Sequence, residues 1–210
     1  MLSLIDPTRL RRVLCIGAHS DDVEIGCGAT VLRLLRVVPN LKVTWCVLCG
    51  GGVRGDEARA SAERAGVEVV THAFRDAHLP ASWADVKKAV SDLRGLEPDL
   101  VFAHRHGDAH QDHRLVAELV DQTFRDHVVL GYEIPKFDGD LASQGQPNVF
   151  AQASRDDLEA KCRLLDAFAS QRDKHWFDDE TFRGLARIRG LECASPTGYA
   201  EAFYCRKLTF

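Results

Sequence analysis

The chain has 210 residues, 45% of them hydrophobic and 28% charged, enough for one domain with a sizeable core. Its formal net charge of −4 and the absence of a basic cluster exclude a nucleic-acid footprint and favour a small neutral or sugar-like partner over a polyanion. No run approaches the ~18 apolar residues of a membrane span.

In chain order, the opening MLSLIDPTRLRR lacks the layout of a secretory signal, so a cytoplasmic location is expected. RRVLCIGA (11–18) reads as the first strand and GATVLRLLRVV (28–38) as the first helix. KVTWCVLC (42–49) is a second strand, followed by the Ala/Glu/Arg-rich helix DEARASAERAG (56–66), which ends at Gly66. VVTHAF (69–74) precedes the helix SWADVKKAVSDLRGL (82–96), with Ser82 placed to cap it. DLVFAH (99–104), HRLVAELVDQTFR (113–125) and HVVLGYEI (127–134) complete a repeating strand–helix order. That order predicts an α/β fold, a parallel sheet with helices on both faces.

The last third departs from the repeat. KFDGDLASQGQPN (136–148) is a turn-rich loop, and YEIPKFDGD (132–140) is expected to face substrate. SRDDLEAKCRLLDAFASQ (154–171) reads as an amphipathic helix with Ser154 as N-cap and Asp157 at the capping-box position. YAEAFYCRKL (199–208) reads as a closing strand. No linker or low-complexity tract divides the chain, so a single domain over 1–210 is expected, and a homo-oligomer is compatible with it.

Seven cysteines stand at 15, 27, 46, 49, 162, 193 and 205, an odd count that favours free thiols. Cys46 and Cys49 form a C-x-x-C within a predicted strand, where period two would send them to opposite faces as small buried hydrophobes.

Chemistry concentrates at two strand ends. AHSDDVE (18–24) follows the first strand and packs a histidine beside three carboxylates, which costs free energy unless a cation or proton offsets the charge. HRHGDAHQDHR (104–114) follows the DLVFAH strand and holds four histidines and two aspartates. Ligands in open α/β folds lie at the carboxyl ends of strands, so the two loops converge on one rim. The combination fits a mononuclear zinc site with three protein ligands and an open position. His19 and Asp22, three apart, can face one ion, which leaves Asp21 free to reach a water. His110 and His113 are also three apart; one can be a ligand while the other faces substrate, with Asp112 fixing an imidazole. His104 and His106 read as structural or outer residues, and His72, His127 and His175 as surface or core.

AHSDDVEIGCGAT resembles the A-H-P-D-D-x-E-x-G-C-G-G segment of the LmbE-like/PIG-L family of zinc-dependent N-deacetylases, and DAHQDHR its H-x-D-H motif. The likeness extends through VRGDEARASAERAGV to Ser170-Gln171 and YAEAF (199–203), with Ser20 in place of a proline and Ala29 in place of a glycine. The resemblance implies a Rossmann-like fold and hydrolysis of an N-acetyl or other N-acyl group on an amino-sugar substrate, a metal-dependent amidase reaction with one Zn²⁺ per chain or another divalent metal. It implies His19, Asp22 and His113 as metal ligands and Asp21 as general base. His110 would stabilise the oxyanion or protonate the leaving amine, Asp112 would orient His110, and Arg54 would contact substrate hydroxyls or a phosphate.

Amide hydrolysis needs such a set on chemical grounds. A metal polarises the carbonyl and lowers the pKa of water, a carboxylate accepts the proton, and a donor opposite the metal meets the developing oxyanion. Two rival readings exist. GGGVRG (50–55) satisfies G-x-G-x-x-G with Asp76 twenty-one residues beyond Gly55, the pattern of an NAD(P)-binding oxidoreductase, but this would leave both His/Asp clusters without a task. A non-catalytic metal- or sugar-binding module would leave Asp21 without one.

Overall fold

The first strand divides its side chains between two cores. Val13 and Cys15 enter one apolar cluster, and Leu14 and Ile16 enter the other. In the computed structural model, which describes Asp6, residues 9–135 and residues 145–208, this strand is β1 (Arg12–Gly17). It pairs in parallel with β2 (Lys42–Val47) and β4 (Leu100–His104). β3 (Glu68–Thr71) and β5 (Val128–Tyr132) extend the parallel part to either side. β7 (Tyr199–Cys205) then runs antiparallel between β5 and β6 (Val149–Ala153), giving one seven-stranded sheet in the order β3-β2-β1-β4-β5-β7-β6.

The same alternation seats the helices. α1 (Asp22–Val37), α2 (Gly52–Ala65), α5 (Arg155–Leu165) and α6 (Asp179–Glu192) contribute Val31, Ala62, Leu164 and Phe182 to the cluster of Val13, Trp45 and Phe102. α3 (Trp83–Asp92) and α4 (Gln111–Thr123) contribute Val90, Val116 and Leu119 to the cluster of Leu14, Cys46 and Val101. Helices therefore cover both faces, as predicted. None of the described helices is long and apolar enough to cross a membrane.

Several boundaries differ from expectation for identifiable reasons. α1 starts at Asp22 rather than at residue 28, because Asp22 and Glu24 in its first turn suit the positive end of the helix dipole. α2 likewise starts at Gly52, within the glycine run, and ends at Gly66 with φ +72° as its sequence suggests. β6 and α6 were not predicted. β6 is a short edge strand, and α6 is announced only by Asp178, whose carboxylate accepts the Thr181 amide at 2.6 Å. The expected helix 154–171 stops at Leu165, yet its capping box is complete, with Ser154 and Asp157 each accepting the other's backbone amide. Ser82 does precede α3, but its hydroxyl makes no capping bond.

Cys46 and Cys49 are both buried, but in one cluster rather than on opposite faces, because β2 ends at Val47 and the period-two rule ends with it. All seven thiols are unbridged. Most of the turn-rich loop, residues 136–144, and with it much of the expected substrate-facing segment, lies outside the described residues.

Candidate metal centre and active site

Parallel pairing of β1 with β4 brings their carboxyl ends, and the two polar loops, onto the same rim. At the end of β1 the chain closes a tight turn in which the His19 amide donates to Asp22 Oδ2 at 2.6 Å. His110 caps α4, its Nδ1 accepting the Asp112 amide at 3.1 Å, and His113 follows within the first turn. His19, Asp21, Asp22, His110, Asp112 and His113 are all buried.

Three side chains converge, Asp22 with a different oxygen towards each imidazole. His19 Nδ1 lies 3.1 Å from His113 Nε2 and 3.4 Å from Asp22 Oδ2, and His113 Nε2 lies 3.5 Å from Asp22 Oδ1. Donors about 2.0–2.2 Å from one tetrahedral ion stand about 3.3–3.6 Å from each other, so these spacings are close to the edges of such a shell. The outer nitrogens explain the orientation of both rings. His19 Nε2 lies 3.0 Å from Asp76 Oδ1 and 3.3 Å from Asp112 Oδ2, while His113 Nδ1 lies 3.1 Å from Asp108 Oδ2. Carboxylates at those positions favour outward ring protons, by a hydrogen bond at His19 and by charge at His113, and so turn two lone pairs and a carboxylate inward. Such an inward set is repulsive until a cation or proton enters it. His110 does not complete a rival shell, since its Nδ1 lone pair is used by the Asp112 amide and its N–H is therefore at Nε2.

The charges follow from this packing. Burial disfavours a charge on His19, but Asp22 and hydrogen bonds with Asp112, Asp22 and Asp76 outweigh it, raising His19 to about 11 when no cation is present. Burial likewise opposes ionisation of Asp22, and the surrounding His113, His104 and His19 hold its pKa well below the carboxylate range. Asp108, despite burial, is held at about 2, chiefly by His113. Burial, helped by repulsion from His113, lowers His104 to about 4.

The structure brings together all seven sequence-selected residues and adjusts two roles. The Asp112 carboxylate sits against His19 Nε2 and the Leu79 amide (3.1 Å); its link to His110 runs through the backbone amide instead. Arg54 donates to Asp21 Oδ1 at 3.3 Å and to Asp76 Oδ2 at 2.7 Å, so it also ties the β1 and β3 loops together. Asp76, which the dinucleotide pattern would assign to a ribose, is thus engaged with Arg54 and His19. Two glycines of that pattern have local reasons: a Cβ at Gly55 would lie 2.0 Å from the Gly50 carbonyl oxygen, and Gly52 has φ +59°.

Four neighbours were not assigned to the site from sequence. Asp76 is a lone acid whose one signal is its strand-end loop, and Asp108 stood within the His/Asp run already singled out but without a role. His104 Nε2 lies 3.1 Å from Asp22 Oδ2, and its ring stacks on His113 at 3.9 Å. Glu24 is buried in α1 with neither carboxyl oxygen hydrogen-bonded, and burial, reinforced by Asp21 and Asp22, pushes it up to about 8. Of the two departures from the family pattern, Ser20 is buried with an unpartnered hydroxyl, and Ala29 packs with Ala153, Leu158 and Ala186.

The fold and this His/Asp rim define a Rossmann-like α/β protein with a candidate metal-dependent active site. Residues 14–124 match the model of the PIG-L family, described as GlcNAc-PI de-N-acetylase, and the chain belongs to that family. It is 28% identical over 145 residues to the uncharacterized deacetylase YaiS of Escherichia coli K12, covering 63% of this chain and 78% of YaiS. Its fold is similar to that of N,N'-diacetylchitobiose deacetylase from Pyrococcus horikoshii, with a TM-score of 0.77 and 23% identity over 97% of this chain and 86% of that one. It is also similar to GalB, the 4-carboxy-2-hydroxymuconate hydratase of Pseudomonas putida KT2440, with a TM-score of 0.74 and 17% identity over 96% of this chain and 98% of that one. The same backbone therefore carries more than one chemistry, and the side chains of the rim must decide between them.

Proposed function

We propose that the protein is a metal-dependent N-deacetylase that removes an acetyl group from an amino-sugar-containing small molecule. The observation that carries this reading is the inward convergence of His19 Nδ1, His113 Nε2 and Asp22, with the opposite ring nitrogens backed by Asp76, Asp112 and Asp108. The family description and the deacetylase relatives point to the same chemistry.

In this reading His19, Asp22 and His113 hold one divalent ion per chain, zinc by the match of two imidazoles and a carboxylate to its tetrahedral preference. Such an ion supplies Lewis acidity, polarising the amide carbonyl and lowering the pKa of water. Asp21, buried next to the ligand turn and steadied by Arg54, accepts the proton of the attacking water. His110 aims its Nε2–H at the carbonyl oxygen as negative charge grows there, and its fixed cap on α4 makes that donor preorganised. Arg54, 23% exposed in its side chain, contacts the sugar hydroxyls or a phosphate while holding Asp21 and Asp76.

The test is acetate release from a panel of N-acetylated sugars and sugar conjugates by zinc-loaded wild type and Asp21→Asn. The wild type should release acetate. The nearly isosteric variant should retain zinc and lose roughly 10²–10⁴-fold in turnover, because an amide cannot take the proton. No acetate from any member of the panel, or loss of zinc from Asp21→Asn, would overturn the reaction or the assignment of the base respectively.

A further inference from the structure

Ile25 and Ala29 are spaced as one i→i−4 rung of α1, and a buried ion pair reaches both members of that rung. Lys161 of α5 donates from Nζ to the Ile25 carbonyl oxygen at 2.6 Å. Glu201 of β7 accepts the Ala29 amide at Oε1 (3.1 Å) and the Thr30 amide at Oε2 (2.7 Å). The two charged groups meet at 2.8 Å and are 4% and 5% exposed.

Groups inside a helix ordinarily satisfy one another, so they do not need charged partners. Burying an ion pair is also a weak way to gain stability, since an apolar pair of similar volume often does as well or better. What this pair adds is directional attachment. It ties three backbone groups of α1 to two elements from the last third of the chain. The attachment lies one turn from the site: the Ile25 amide donates to the Asp21 carbonyl oxygen at 3.1 Å, and Asp22 is the next residue. A cavity of about 20 Å³ borders the pair at Ile25, Gly26, Lys161, Glu201 and Arg189, while Ala29 packs against Ala153, Leu158 and Ala186. The pair's hydrogen bonds therefore act together with packing to locate this part of α1.

We propose that Lys161 and Glu201 are positioning residues for the active site: the pair clamps the first two turns of α1 to α5 and β7 and thereby holds Asp21 and Asp22 in register with His19 and His113. This rests on the deacetylase reading above and deepens it. Both residues lie beyond the matched residues 14–124, Glu201 within the YAEAF segment of the likeness and Lys161 outside its motifs, so the geometry of the first motif is set from the last third of the chain.

The test uses Lys161→Met, Glu201→Gln and the double variant Lys161→Met/Glu201→Met, which replaces the pair by apolar side chains and leaves no unpaired buried charge. Hydrogen exchange of peptides spanning residues 19–30 is followed in the metal-free chain, and zinc dissociation constants are obtained by chelator competition. Exchange over 19–30 should quicken in every folded variant while peptides from α4 stay at the wild-type rate. Zinc affinity should fall roughly 10–100-fold, as it does when supporting groups around ligands are removed. kcat should fall with KM nearly unchanged, since misplaced Asp21 and Asp22 act on the reaction rather than on sugar binding. Wild-type exchange over 19–30, or wild-type zinc affinity, in a folded variant would overturn the proposal. A wild type that neither binds zinc nor releases acetate would instead overturn the deacetylase reading, and the exchange measurement would still decide the clamp.

Discussion

The Asp112 carboxylate lies 3.3 Å from His19 Nε2, joining the first turn of α4 to the turn after β1 across 93 positions of sequence. Its other oxygen accepts the Leu79 amide, so the carboxylate is fixed while it fixes the imidazole. A proton held at Nε2 is what leaves Nδ1 facing Asp22 and His113. Asp112→Ala should therefore weaken zinc binding roughly 10–100-fold. Asp112→Asn should be no better, because its amide N–H would favour the wrong tautomer. Chelator competition checks both, and an Asn variant with wild-type affinity would shift tautomer control to Asp76.

Ligand loss should separate cleanly from loss of outer support. We expect His19→Ala, Asp22→Ala and His113→Ala each to purify with little zinc by elemental analysis, since a three-ligand site cannot hold zinc well with two. Asp76→Ala, which removes a half-exposed carboxylate from the outer nitrogen of His19, should keep most of it. Full zinc in all three ligand variants would refute the assignment.

His110 serves two purposes at once. Its Nδ1 caps α4 and its Nε2–H faces the reaction, so His110→Ala should lower kcat roughly 10²–10³-fold with little change in KM. The same substitution removes the cap and should cost about 1 kcal/mol of stability. Wild-type kcat with only a raised KM would make His110 a binding residue.

In the metal-free protein two buried groups should lose their stabilising contribution as pH rises, in steps that overlap between about 6.5 and 8. His104, lowered to about 4, works in the opposite sense below about 6.5. Glu24 is raised from 4.5 to about 8, so its contribution is complete below about 4.5 and lost as pH passes about 8. His19 is raised from 6.5 to about 11, so its contribution is complete below about 6.5 and lost towards pH 11. Glu24→Gln should abolish the first step and keep the second. Zinc should reverse the second, because metal then takes the place of the proton. Melting temperatures against pH for metal-free wild type, the variant and zinc-loaded protein test each step, and a wild-type profile in Glu24→Gln would show that Glu24 is not the buried acid responsible.

Gly26 is required by contact. A Cβ there would lie 2.2 Å from the Tyr132 ring, whose hydroxyl donates to the Ile16 carbonyl oxygen at 2.7 Å. Gly26→Ala must push α1 away from β5 and should cost roughly 1–3 kcal/mol or more, the range for overpacked cores. Gly28→Ala, where the nearest atom would be 3.5 Å from the new carbon, should be tolerated. Denaturant melts of both variants make the comparison, and equal stability would remove the packing explanation.

What the sequence determined by itself was local or periodic. Alternating strands, amphipathic helices and their caps made the parallel layers legible, and the two His/Asp loops at strand ends made the metal-binding chemistry legible. Residues three apart in one turn are constrained by that turn alone, so His19 with Asp22 and His110 with His113 could be paired before any coordinates. Tertiary structure decided which carboxylate serves which imidazole, because Asp76 and Asp112 reach His19 across space from other loops, whereas Asp108 meets His113 within its own loop. It also decided the antiparallel end of the sheet, where β6 is short and α6 lacks a strong start signal. The Lys161–Glu201 pair was illegible for the same reason: YAEAF was singled out, but nothing local pairs its Glu201 with Lys161, and their meaning comes from meeting an interior rung of α1. Periodicity is a property of one segment, whereas charge pairing depends on distance, and only the folded chain sets distances between segments.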